Sequence, residues 1–198
     1  PLKFTTHHPT KVDFFPYVNA TQDRVKDEVD TKTGMEVFWK IDAGKQLNIA
    51  INPDFGQVES DELVVNFSSS ETFYSDKRPF FSENHSLFDV KSDEIFYIIN
   101  TRRIGAAPDY DCNRYGIELA EACAAASTGI SDIDVALRYT QQGESIDFGF
   151  LSALESDADF SEGRQLYALR SVKNGENYSV GYLGTLADRP FIDRTATV

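Results

Sequence analysis

The chain has 198 residues, the length of one domain or of a piece of a larger one, with 19 Lys and Arg against 32 Asp and Glu and a net charge of −13. That charge repels polyphosphate, and the longest basic run is Arg102-Arg103, so nucleic-acid binding is not expected. A hydrophobic fraction of 41% and an aromatic fraction of 13% can support a core. Apolar runs of only a few residues exclude a helical membrane span, which needs roughly 20, but they leave open a membrane β-barrel with alternating strands.

The start, Pro1-Leu2-Lys3-Phe4, has no Met and no secretion signal, and reads as a processed chain or a fragment. From Lys11 onward the recurring signal is period two. Val12, Phe14, Pro16 and Val18 fall on one side of a first strand. Met35, Val37, Trp39 and Ile41 do so on a second, and Leu47, Ile49 and Ile51 on a third. After an irregular middle the pattern returns in Ile133, Val135, Leu137 and Tyr139, then in Ile146, Phe148 and Phe150. Two more strands follow, in Gln165–Val172 and Tyr178–Thr185.

The polar Gly-bearing stretches Asp42–Lys45, Gln141–Glu144 and Lys173–Glu176 suit hairpin turns. A longer acidic loop holds Glu155, Asp157, Asp159 and Glu162. Short turns alternating with longer loops predict an antiparallel up-and-down meander. The other strand faces carry Gly149, Gly181, Ala136, Ser179 and Thr140 rather than the Lys and Glu of a wetted sheet, which suits a crowded barrel interior. The alternation alone also fits a soluble sandwich, in which Trp39 and the tyrosines would stack on sugar rings.

Tyr115–Ser127 is Ala-rich and reads as one short loop helix. Cys112 and Cys123, eleven apart and without a nearby His, suit a disulfide closing one loop, worth about 3 kcal/mol in the chain-entropy model. Two free thiols in a reducing cytosol are the alternative. Asp109-Tyr110-Asp111 starts like a calcium loop, but Arg114 stands where the turn Gly belongs and Ala120 where the bidentate Glu belongs. A divalent cation there, or at Glu155–Glu162, is the minor reading beside a solvated charge run. His7, His8 and His85 are too scattered to argue for a metal, so no cofactor is expected.

The middle segment is the most distinctive. Asn52-Pro53-Asp54-Phe55-Gly56-Gln57-Val58-Glu59 is followed by Val64-Val65-Asn66-Phe67. Then come Glu71-Thr72-Phe73-Tyr74-Ser75-Asp76-Lys77-Arg78-Pro79-Phe80-Phe81-Ser82-Glu83 and Arg102-Arg103-Ile104-Gly105. In this order they resemble the DUF5916 family of bacterial proteins, described as membrane-associated hydrolases. The resemblance implies an N-terminal family 9-like carbohydrate-binding module, absent here, followed by a β-rich region like an outer-membrane barrel. Ser82-Glu83-Asn84 departs from the family's Leu-Glu-Gly, Ile98–Thr101 lengthens the step before the arginines, and the cysteine loop looks like an insertion.

The expectation is therefore all-β: an antiparallel meander forming part of an outer-membrane-type barrel, with an irregular middle segment and one loop helix. It is a single β domain over 1–198 or a fragment of a larger barrel. Strands occupy 1–52 and 132–198, the motif-bearing segment 53–104 and the cysteine loop 105–131. The resemblance implies a bacterial envelope location, lipid as partner and a channel, scaffold or carbohydrate-linked surface role. That location favours the disulfide.

Asp54, Glu59, Asp61 and Glu71 lie near Lys77, Arg78, Arg102 and Arg103 in sequence and are expected to form an ion-pair network fixing the segment against the wall. The rival is hydrolysis of a glycan or ester through Asp54, Glu59 or Glu83. No nucleophile elbow or HExxH motif supports that rival.

Overall fold

The computed structural model describes residues 10–23, 28–54, 76–83, 85–92, 96–127, 130–190 and 194–197. Three strands come first: β1 (Lys11–Asp23), β2 (Glu28–Asp42) and β3 (Lys45–Ile51). The middle of the chain holds a one-turn helix α1 (Pro79–Ser82), a two-residue ladder of β4 (Lys91–Ser92) with β5 (Phe96–Tyr97), and helix α2 (Ile117–Ala126). Five strands follow: β6 (Ile133–Gln141), β7 (Ile146–Glu155), β8 (Gln165–Asn174), β9 (Ser179–Asp188) and β10 (Arg194–Thr197).

Eight of these strands form one antiparallel sheet in the order β1-β2-β3-β6-β7-β8-β9-β10, as expected of a meander. It is an open sheet, with β1 and β10 at its two edges. The strong period-two sequences fix the register, because a one-residue slip would turn every side chain to the opposite face. Three tight connections lie at one end, where Gln142 N donates to Gly44 O and Asn174 N to Ser145 O. The middle segment and the acidic loop between β7 and β8 leave from the other end. No helix among the described residues is long and apolar enough to cross a membrane.

Cross-strand pairing sorts the residues into rows. One outward row runs Val12, Trp39, Leu47, Tyr139, Phe150 and Leu169; the next runs Phe14, Val37, Ile49, Leu137, Ser152, Tyr167 and Leu186. Leu47, Ile49, Ile51, Ile146 and Phe148 share that side. The inward rows are small or polar apart from two leucines: Ala50, Ala136, Ala153 and Leu166; Asn48, Arg138, Leu151 and Ala168; Gln46, Thr140, Gly149 and Arg170.

The middle segment packs on the inward face. Phe80, Phe81, Leu87, Phe88 and Ile104 form one buried cluster with Ala50, Ala136, Leu151, Ala153, Ala168 and Leu183. The small wall residues are what allow a folded segment to lie so close. At Gly149, where an added Cβ would come within 2.7 Å of Phe88 Cζ, only hydrogen fits.

Three sequence expectations are revised. Ile133 does not share the outward side with Val135, because a register shift between them pairs Ile133 with Glu155 and turns it into the core. The helix is shorter, Ile117–Ala126 instead of Tyr115–Ser127. The acidic loop is not uniformly solvated, because Glu155 is the last inward position of β7 and its side chain is wholly buried.

Candidate functional site

The chemistry-bearing side chains gather where the middle segment meets the inward face, in three polar anchors. The first belongs to α1. Pro79 at the first helical position presets the backbone φ, and one helical turn drops Phe80 and Phe81 into the core with their rings edge to face at 5.0 Å. Arg78, just before the turn, is buried and takes Asp76 in a fork, Nε to Oδ1 at 2.9 Å and Nη2 to Oδ2 at 2.6 Å. Its Nη1 donates to Ile104 O and its Nη2 to Thr101 O, both at 2.7 Å, while the guanidinium lies 4.3 Å from the Phe81 ring centroid. Burial works to raise the Asp76 carboxyl, but the bonds and charge of Arg78 overcome it and hold Asp76 below the usual carboxylate value.

The second anchor is Glu83, immediately after α1. Its Oε2 accepts from Gln46 Nε2 at 2.7 Å and Asn48 Nδ2 at 3.1 Å, with Arg138 Nη2 at 3.5 Å. Gln46 and Asn48 are alternate inward residues of β3, and Arg138 stands beside Asn48 on β6 with its guanidinium 5.5 Å from the Phe80 ring. The hexapeptide Arg78–Glu83 thus carries a charged anchor at each end and two aromatic rings between them.

The third anchor closes the far side of the segment. Arg164 grips Glu155, with Nη2 to Oε1 at 2.9 Å, and the same Nη2 donates to the carbonyls of Ala106 at 3.0 Å and Arg103 at 3.2 Å. Its Nη1 donates to Ala107 O at 3.2 Å. Gly105, at φ 79°, donates its N–H to Glu155 Oε1 at 2.8 Å. A left-handed backbone there favours glycine, which has no Cβ to strain it. Beyond it Asp109 takes Arg189 Nε at 2.6 Å, so the residue that opens the calcium-like stretch is committed to a guanidinium. Asp111 pairs with Arg114 on the surface. Cys112 and Cys123 form a disulfide, their Cα atoms 5.6 Å apart, which fastens α2 to the preceding turn.

The residues singled out from sequence fall as follows. Arg78 pairs with Asp76, two residues upstream, and this pairing was not anticipated because Asp76 lay outside the acidic run considered. Asp54 accepts from Asn19 Nδ2 of β1 at 2.7 Å. Glu59, Asp61 and Glu71 lie outside the described residues, as do His7 and His8. Lys77 and Arg103 are exposed and Arg102 is half-buried.

Gln46, Asn48, Arg138, Glu155 and Arg164 were missed as anchors. The available signal was parity: each of the first four occupies an inward register with alanines and glycines, where a polar residue must find a partner. Of the candidate carboxylates for hydrolysis, Glu83 has two amides and a guanidinium as its described partners.

A family model described as a domain of unknown function (DUF5916) matches residues 8–131. No curated protein and no solved structure matches the chain.

Proposed function

From the premise that the chain belongs to the DUF5916 family, whose function is undefined, we propose that it forms part of the wall and the internal plug of a β-barrel in a bacterial outer membrane. A scaffold or channel-wall role follows. One observation carries this reading: the sheet is inverted relative to one built for water. Beside the core residues Ala50, Ala136, Leu151 and Leu183, its buried face holds Gln46, Asn48, Arg138 and Thr140, while its outward face exposes Val12, Phe14, Val18, Trp39, Ile51, Leu169 and Leu186. Water-soluble sheets bury the apolar side; a lipid-facing wall turns it out and keeps polar and small residues inside.

Four further features support the same reading. Outside the β6 bulge at Asp134, the outward positions of the eight strands carry a charge only at strand ends, at Asp42, Lys45, Lys173 and Asp188. On β2 the outward apolar run from Met35 to Ile41 spans six residue steps, about 20 Å along the strand at about 3.3 Å per step, which at a tilt of about 40° covers roughly 15 Å of a lipid-facing band about 25 Å tall. Strands β6 to β9 have nine or ten residues each, the length a tilted strand needs to cross hydrocarbon. Tight turns at one end and long excursions at the other are the usual asymmetry of such barrels.

The chain's single Trp, Trp39, sits outward in the middle of this band and supplies the test. In vesicles of lipids brominated along the acyl chains, Trp39 fluorescence is expected to be strongly quenched. Emission unchanged by brominated lipid, with the protein left in the aqueous fraction, would overturn the membrane reading.

A further inference from the structure

We infer that Gln46, Asn48 and Arg138 form a binding site for a carboxylate on the inward wall, and that Glu83 occupies it as a tethered stand-in. A solute bearing a free carboxylate, such as an acidic sugar, competes with Glu83 for the site and so unlatches the Arg78–Glu83 turn. The unlatching rests on the proposed plug-and-wall reading; the carboxylate site rests on the geometry of the side chains.

The donors come from two neighbouring strands and converge on one place. Gln46 and Asn48 are alternate inward residues of β3, and Asn48 lies opposite Arg138 on β6. Gln46 Nε2 donates to Asn48 Oδ1 at 2.8 Å, which fixes the Asn48 amide with its Nδ2 toward Glu83. Glu83 Oε2 then receives all three residues, at 2.7, 3.1 and 3.5 Å. Such a set of donors, one of them a guanidinium, is complementary to an anionic acceptor.

The fit of the stand-in is incomplete on the arginine side. Arg78 and Arg164 each hold both oxygens of a carboxylate and donate to backbone carbonyls as well. Arg138 is 3% exposed, yet it reaches one oxygen of Glu83 at the limit of a hydrogen bond. Its Nη1 is buried with no acceptor. Desolvation accordingly lowers the Arg138 pKa to about 10, and the charge of Glu83 offsets only part of that. A guanidinium fork is matched by the two oxygens of one carboxylate. Glu83, tethered at the end of α1, brings it one. A carboxylate free to choose its angle can take Nη1 and Nη2 together and still accept from the two amides.

Access is on the right side. The Glu83 side chain is 35% exposed, whereas Gln46, Asn48 and Arg138 are buried behind it, so an arriving solute meets the stand-in first. The Phe80 ring, 5.5 Å from the Arg138 guanidinium, belongs to the same turn as Glu83. Displacing Glu83 therefore frees the end of the turn that also carries Phe80 and Phe81.

Calorimetric titration tests this on the protein as its gene encodes it, in detergent micelles, with glucuronate as the probe and glucose as the uncharged control. A site filled by its own side chain binds in proportion to the fraction of time it is vacant, so Glu83→Ala is expected to bind glucuronate at least about tenfold more tightly than wild type. Glucose is expected not to bind. In wild type, glucuronate should also speed amide exchange at Phe81, Ser82 and Glu83, whose N–H groups close the turn onto the carbonyls of Arg78 and Pro79. Equal affinity in the two proteins, or binding in neither, would overturn the site. Phosphate bound as tightly as glucuronate would overturn the carboxylate assignment, and exchange unchanged at saturating glucuronate would overturn the unlatching. Arg138→Lys added to Glu83→Ala keeps the charge and loses the fork, so undiminished affinity there would remove Arg138 from the site. Trp39 quenching reports the membrane wall separately: glucuronate bound by a protein whose Trp39 is not quenched keeps the site and sinks the wall.

Discussion

The two faces of the sheet are built from alternate residues of the same strands and obey opposite rules. Outward, Phe14, Trp39 and Leu169 are exposed and make a continuous apolar band. Inward, Asn48 and Glu155 are buried among alanines and held by specific hydrogen bonds, and the buried Arg138 reaches Glu83 at 3.5 Å. Hydrophobic side chains outward need only a matching solvent, because dispersion and transfer energy are non-directional. Charged groups inward need named partners at bonding distance, since desolvation is costly unless each is matched. The difference explains why the inward face carries the recognisable hexapeptide, while the outward face tolerates any large apolar residue.

The comparison is broken most severely at an inward anchor. Arg78→Ala leaves Asp76, whose side chain is fully buried, without its guanidinium, and is expected to cost about 3–5 kcal/mol in denaturant unfolding from lipid or detergent. A loss well under 1 kcal/mol would mean the pair is solvated and the plug is not anchored there.

The same pair predicts a pH dependence. Asp76 has a folded value below its unfolded one, so its contribution is fully present above the unfolded value near 3.8 and is lost as pH falls through the folded value. Acid unfolding of wild type should therefore steepen below about pH 4, and Arg78→Ala should flatten that limb. Parallel acid limbs for the two proteins would remove Asp76 from the account.

The outward face is sharpened by a charge. Ile49→Lys, in the middle of the band, is expected to cost about 2–4 kcal/mol in a bilayer. On a water-facing sheet the change would stay within about 0.5 kcal/mol, and such a result would sink the lipid-facing assignment. The smallest effect is expected at an exposed ion pair on the edge strand. Asp13→Asn removes the partner of Lys11, 2.8 Å away, and should change stability by less than about 1 kcal/mol, measured by the same unfolding curves.

Period two, turn chemistry and spacing were enough to place seven strands of the sheet, their antiparallel order, the outward rows, the helix that follows Cys112 and the distinctive Arg78–Glu83 motif. These are local properties, written in contiguous residues. Which face would be buried was not local. Alternation defines two faces, and only the folding of the middle segment onto the Ala and Gly side decided between them.

The partner of Arg78 was decided the same way, by the carbonyls of Thr101 and Ile104 and the ring of Phe81 that position its fork over Asp76. Ile133 turned inward because of a bulge that no residue type announces, and Glu155 became an anchor because Arg164, across the β7–β8 loop, reaches back to it. The short β10 escaped notice because four residues are too few to show a period. Sequence determines which residues alternate; burial and charge pairing are settled by what is brought opposite them, and that depends on contacts between segments dozens of residues apart.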